Sequence, residues 1–190
     1  MTLHAAVDGI ERLYEIARER LRGRIVRDGR VNPAALDRNQ LAAHALAYVA
    51  TDLAACRELV DWASRCPVAE ARAIAQAFVA EVARCLRSVV WLGAAESYSV
   101  AEMHVSPAEI RATVGSPENA QWADDESAGE RYMSLAHVHA SGVAVPVGPA
   151  DDTLMMMRAE FRRFVVDRVA PLAQRIHRGD ELIPMDLIRS

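Results

Sequence analysis

Histidine, cysteine and carboxylate side chains are the groups from which a helical protein builds a reactive site. This chain holds six histidines, three cysteines and 26 acids. A di-iron site in a helical bundle wants a glutamate followed three residues later by a histidine, because that spacing projects both from one face. No glutamate here has a histidine at that distance. Glu102 and His104 stand two apart, as do His137 and His139, which on a helix turns the members of each pair away from each other. Asp124-Asp125-Glu126 reads as a helix N-terminus rather than a metal site, since carboxylates are favoured at the positive end of a helix. Ser97, Ser99, Ser134 and Ser141 lack the Gly-x-Ser-x-Gly elbow of a nucleophilic serine. Cys56, Cys66 and Cys85 form no Cys-x-x-Cys pair and are odd in number, so they read as buried or idle thiols in a reducing cytosol. No Gly-x-Gly-x-x-Gly occurs, and a lysine-bearing phosphate loop is impossible because all 22 basic residues are arginine. His44 reads as a hydrogen-bonded core or boundary histidine. The expected set of catalytic, cofactor-binding and metal-binding residues is therefore none.

The elements that would position such groups are helical. Hydrophobic residues make up 52% of the 190, but only 5% are aromatic. The core must be mostly Ala, Leu, Val and Ile, and alanine-rich composition favours closely packed helices over a sheet. A net charge of −4 implies no basic face of the kind that grips nucleic acid. Arg18, Arg20, Arg22, Arg24 and Arg27 read as a solvated helix face and its exit. The start Met1-Thr2-Leu3-His4 lacks a basic segment followed by an apolar run, so no signal peptide is expected. The most apolar stretch, 73–95, carries Gln76, Glu81, Arg84 and Arg87, which do not sit in a bilayer core. The expectation is a soluble cytoplasmic protein without a membrane span.

The fold class expected is all-α, an antiparallel helical bundle. The first helix, 3–24, has Val7, Ile10, Tyr14, Ala17 and Leu21 on one face, and Asp28-Gly29 reads as a turn. Asn32 caps a second helix with Pro33 in its first turn. It runs to Cys66, before Pro67, with Leu36, Ala43, Leu46, Ala50, Leu53, Leu59 and Val60 on its apolar side and His44 and Tyr48 one turn apart. A third helix runs from 67 or 68 to about 95 with Ile74, Phe78, Val82, Leu86 and Val89 on one face, and the three join by short turns.

Beyond 96 the pattern weakens. Ser106-Pro107 and Ser116-Pro117 each open a short helix or turn, and a short helix over 127–140 follows. Residues 141–152, rich in Gly, Pro and small side chains, read as a linker. The last helix starts at Asp151, Asp152 or Thr153. Its buried stripe is Phe161, Val165, Val169, Leu172 and Ile176, with at least one of Met155, Met156 and Met157 also in the core. Pro171 kinks it, Gly179 ends it, and Pro184 begins another helix.

Two resemblances complete the reading. The segment 157–188, with its aromatic-basic helix, Val169-Ala170-Pro171, His177 and the Pro184 helix start, resembles the N-terminal helical region of acyl-CoA dehydrogenases. The run Gln40-Leu41-Ala42-Ala43-His44-Ala45-Leu46-Ala47-Tyr48-Val49-Ala50-Thr51, with Trp62-Ala63 and Asp180-Glu181-Leu182-Ile183-Pro184-Met185, is similar to the branch of that family typified by (2S)-methylsuccinyl-CoA dehydrogenases, which carry a helical N-terminal extension. The middle, 96–150, fits that branch least. The resemblance implies residues 1–140 as the extension domain, 141–152 as the linker and 153–190 as the start of an incomplete, truncated dehydrogenase N-terminal helical domain.

The family it points to consists of FAD flavoproteins, oxidoreductases that convert an acyl-CoA to its 2,3-enoyl form. A carboxylate base takes the α-proton, and electrons pass on to an electron-transfer flavoprotein. The branch implies methylsuccinyl-CoA as substrate. The family's flavin-binding and catalytic-base regions map onto no residue here, so the chain alone is expected to bind no FAD and to be inactive. Its expected partner is the remainder of a dehydrogenase, or a partner subunit, through the apolar face of the last helix. The alternative is a stand-alone helical interaction or homodimerisation module.

Overall fold

The computed structural model describes residues 2–93, 96–127, 129–140, 142 and 151–189, and its architecture is all-α with two very short antiparallel hairpins. The chain forms two compact units, Met1–Val145 and Pro146–Ser190. The expected linker lies almost wholly outside the described residues.

In the first unit, helix α1 spans Leu3–Ile25, and the Thr2 hydroxyl accepts from the Ala5 N–H at 3.2 Å. Its apolar stripe is buried as the spacing predicts, with Val7, Ile10, Ala17 and Leu21 inside and Tyr14 packed against the core edge. Strands β1 (Val26–Arg27) and β2 (Arg30–Val31) form a hairpin around Asp28 and Gly29. Both turn residues have positive φ, 52° and 74°, as a two-residue type I′ turn requires.

The single long helix expected from Asn32 to Cys66 is two helices, α2 (Pro33–Arg38) and α3 (Gln40–Arg65). Asn32 caps α2, but Asn39 leaves helical geometry (φ −118°, ψ 21°). Its side-chain amide donates to the Ala35 carbonyl at 2.8 Å. That local bond competes with the helix, which is why Asn is disfavoured inside one. The buried face of α3 is also rotated from the expected one. Ala42, Ala45, Val49, Leu53, Cys56 and Val60 are buried, whereas Leu46 and Leu59 are only partly so.

Helix α4 (Ala69–Cys85) stops about ten residues short of the expected end near 95. Val89-Val90-Trp91 instead forms β3, paired with β4 (Ser97–Ser99) in the register Val89↔Ser99, Val90↔Tyr98 and Trp91↔Ser97. Two β-branched residues and an aromatic favour a strand, and Val90 is buried there.

Helices α1, α3 and α4 pack on one another pairwise. Alanines at 42, 45, 71, 75, 77, 80 and 83 are all buried, so the helix backbones approach closely. Ile10, Val49, Leu53 and Val79 are essentially inaccessible, each contributing roughly 1.5–3 kcal/mol by burial.

After a 3-10 turn at Val100–Met103, α5 (Pro107–Ala112) opens with a full capping box between Ser106 and Glu109. Helix α6 (Pro117–Glu126) opens on a Ser116 cap. Asp124-Asp125-Glu126 therefore sits at the C-terminal end of α6, not at a helix N-terminus, because the Ser-Pro start lies ten residues upstream. The unfavourable end charge is offset by ion pairs from Arg87 to Asp124 and from Arg131 to Glu126. Gly9 lets α1 approach α6: a Cβ there would sit 3.0 Å from the Asn119 side-chain nitrogen, which donates to the Thr113 carbonyl at 2.7 Å. Helix α7 (Gly129–Ala140) packs against α4.

In the second unit, α8 (Asp152–Phe164) is capped by Asp151, whose carboxylate accepts from Leu154. The interruption expected at Pro171 is a π-helical turn, Val165–Val169, in which the Ala170 N–H reaches back to Val165, before α9 (Ala170–Gly179). Proline has no N–H and crowds the carbonyl four residues earlier, so the ladder shifts register just ahead of it. The left-handed residue after α9 is Asp180 (φ 50°) rather than Gly179, and Pro184 leads into α10 (Met185–Arg189). None of the expected stripe is buried: Phe161 is 66% and Val165 47% exposed, and the three methionines are exposed as well. One line of helix supplies no second layer against which to bury a face.

Candidate functional site

Among the described residues no three of His, Cys, Asp or Glu are placed to hold a metal ion. His104 follows the 3-10 turn in a left-handed conformation, where burial and the nearby Arg24 hold its imidazole below its usual pKa. His137 is bonded to the Met133 carbonyl at 2.7 Å. Ser97 lies in β4 and Ser134 in α7, while Ser141 is outside the described residues. His44 is exposed on α3, edge-on to Tyr48 with ring centroids 5.0 Å apart. It is not a core histidine, because the buried face of α3 passes through Ala45 and Val49 instead. Cys56 is the buried thiol, pushed up to about 12 by burial and then by the charge of Asp52; it is no nucleophile at neutral pH.

Among the described residues the first unit has two clefts lined by titratable side chains. A cleft of about 250 Å³ lies between α3, α4 and β3. Helix α3 supplies Tyr48 and Asp52, one turn apart. Helix α4 supplies Phe78, Glu81, Val82 and Cys85, and β3 supplies Val89, Val90 and Trp91. The early end of α4 makes this cleft, because the chain turns after it and brings β3 against α3. Burial pushes the Asp52 carboxyl up. Glu81 accepts a hydrogen bond from the Tyr132 hydroxyl at 3.1 Å. Burial and the Glu81 charge push that phenol up.

The second hollow, about 340 Å³, lies between α1 and α3 and is lined by His4, Asp8, Glu11, Arg57, Asp61 and Ser64 among others. Arg57 pairs there with Glu11 at 2.5 Å. Neither feature fits a flavin dinucleotide. The cleft is smaller than the 300–1,000 Å³ typical of ligand pockets, and the carboxylates of both would oppose a diphosphate. Sequence reasoning missed the cleft, since it placed Val89 and Val90 on a helix. The β-branched run before Trp91 was the available signal.

In class, this is an essentially all-α chain. No family model matches the chain. It is similar to the (2S)-methylsuccinyl-CoA dehydrogenase of Cereibacter sphaeroides, 29% identical over 97% of this chain and 34% of that protein. The chain thus spans about a third of the length of the curated relative it matches. Most of 96–150 necessarily falls within so long a match. Among the described residues no helix is long and apolar enough to cross a membrane.

Proposed function

We propose that this chain is the helical N-terminal portion of a cytoplasmic acyl-CoA dehydrogenase-like flavoenzyme that uses FAD to oxidise methylsuccinyl-CoA, or a close relative, to its 2,3-enoyl thioester. The similarity along 97% of the chain carries this reading. The residues here supply no base and no flavin contact. Catalysis resides in the remainder of a dehydrogenase or in a partner subunit, and electrons leave to an electron-transfer flavoprotein. The exposed Phe161, Val165 and Ile188 are the apolar contacts of the second unit with that remainder.

The test is to isolate the native polypeptide from its source cells and measure its intact mass, its flavin absorbance and its oxidation of methylsuccinyl-CoA. A flavin-bearing species far above 20.8 kDa, or a 20.8 kDa chain held in a flavin-bearing complex, is expected. A 20.8 kDa chain that associates with no flavoprotein overturns the reading. The same exposed side chains favour a second reading, a stand-alone interaction or dimerisation module. Light scattering on the 190-residue chain tests it, and a monomer at high concentration overturns it.

A further inference from the structure

The cleft between α3, α4 and β3 has an acidic lining. Asp52 and Glu81 both line it, and no arginine or histidine does. Among the described residues the Asp52 carboxylate has no hydrogen bond or ion pair, and burial pushes it up. Arg87, just beyond α4, pairs with Asp124, and Arg84 acts on Asp124 and on Tyr132, the Glu81 partner, without lining the cleft. The hollow between α1 and α3 differs, because Arg57 already sits among its acids.

The walls narrow the class of ligand. Phe78, Val82, Leu86, Val89 and Val90 give an apolar floor suited to a short alkyl stem. At the mouth stand Tyr48 and Trp91, 37% and 53% exposed. Aromatic faces attract cations, and a guanidinium suits them better than an ammonium. It is planar and weakly hydrated, stacks on rings and pairs with carboxylates through two parallel bonds. A volume of about 250 Å³ admits such a group on a few carbons, and a carboxylate-rimmed cleft repels anions.

We propose that this cleft binds an alkylguanidinium group, its cation between Asp52 and Glu81 and its stem against the α4–β3 floor. The inference does not rest on the flavoenzyme reading, and its test involves neither flavin nor thioester. The 190-residue chain is titrated with n-propylguanidinium, with neutral n-propylurea as control, and followed by amide and indole NMR shifts. Saturable shifts confined to 48–52, 78–91 and the Trp91 indole are expected, with no response to propylurea. Asp52→Asn and Glu81→Gln should each weaken binding about tenfold, the scale of one charge-assisted bond, without lowering the unfolding midpoint.

Equal response to propylurea, undiminished binding in both variants, or no saturable shift overturns the proposal. A capped Ala-Arg-Ala peptide then identifies the source. Binding at least as tight as that of propylguanidinium marks an arginine of a protein partner. Exclusion of the peptide, with propylguanidinium still bound, marks a free small molecule.

Discussion

The two units have similar apolar patterning along their helices and opposite outcomes. In Met1–Val145 the stripes of α1, α3 and α4 face one another, and Ile10, Leu53 and Val79 lose essentially all contact with solvent. In Pro146–Ser190 the stripe Phe161, Val165, Val169, Leu172 and Ile176 is just as regular, yet none of it is buried. Helical periodicity specifies a face; burying it takes a second layer. The first unit contains that layer and the second does not. The first therefore has a core of its own, and the second presents apolar surface of the kind that marks an interaction site.

The largest test of this contrast sets Ile10→Ala against Phe161→Ala in the 190-residue chain. Truncating Ile10 should cost roughly 2–5 kcal/mol, measured by urea unfolding. Truncating Phe161 should change stability by no more than about 0.5 kcal/mol, as at other exposed positions. A comparable loss at Phe161 would break the contrast.

Gly9→Ala probes the close approach of α1 to α6. Alanine is the better helix former by about 1 kcal/mol. Its Cβ would nevertheless press on the buried Asn119 amide at 3.0 Å, and overpacking of this kind costs about 1–3 kcal/mol. A net loss of stability is expected, and a rise in the unfolding midpoint would show that Asn119 yields freely.

Glu109 gives the first unit a pH dependence. Bonds from the Ser106 backbone and hydroxyl, then from Arg20, hold its carboxyl at about 2, below the ordinary 4.5. A depressed folded value means that the ionised form supports the fold. That support is present above about pH 4.5 and is lost as the pH falls through about 2. Glu109→Gln should flatten the acid limb of the stability curve between those values, read by tryptophan fluorescence. All three tryptophans (Trp62, Trp91 and Trp122) lie in this unit.

The smallest effect is expected at Pro171→Ala. Restoring an N–H at 171 should let the π turn relax to a continuous α-helix from α8 to α9. Amide exchange at 165–172 should slow, with the fluorescence-detected midpoint of the first unit unchanged. Retention of the π turn in the variant would place its cause in Val165–Val169 rather than in the proline.

Much of this was legible in the residues. Periodicity located α1, and Asn32-Pro33, Ser106-Pro107 and Ser116-Pro117 marked helix starts. Asp28-Gly29 marked a turn, and Pro171 an interruption. These are local effects, set by caps, missing N–H groups and backbone freedom within a few residues. The gathering of Tyr48, Asp52, Glu81 and Trp91 around one cleft was not legible. It needed α4 to end at Cys85, a contest between helix propensity and strand pairing settled by β4, six residues beyond Trp91. Nor could the chain reveal that His44 would face outward, because that depends on which face of α3 meets α1 and α4; the break at Asn39, by contrast, is local, set by its side-chain bond to the Ala35 carbonyl.

The sequence by itself determined an all-α chain, several of its helix starts, and its resemblance to an acyl-CoA dehydrogenase. The tertiary structure alone decided which apolar faces are buried, that Asp52 and Glu81 line one cleft, and that no residue of the second unit's stripe is fully buried. Caps and turns act over one helical turn, whereas burial requires surfaces from distant parts of the chain to meet.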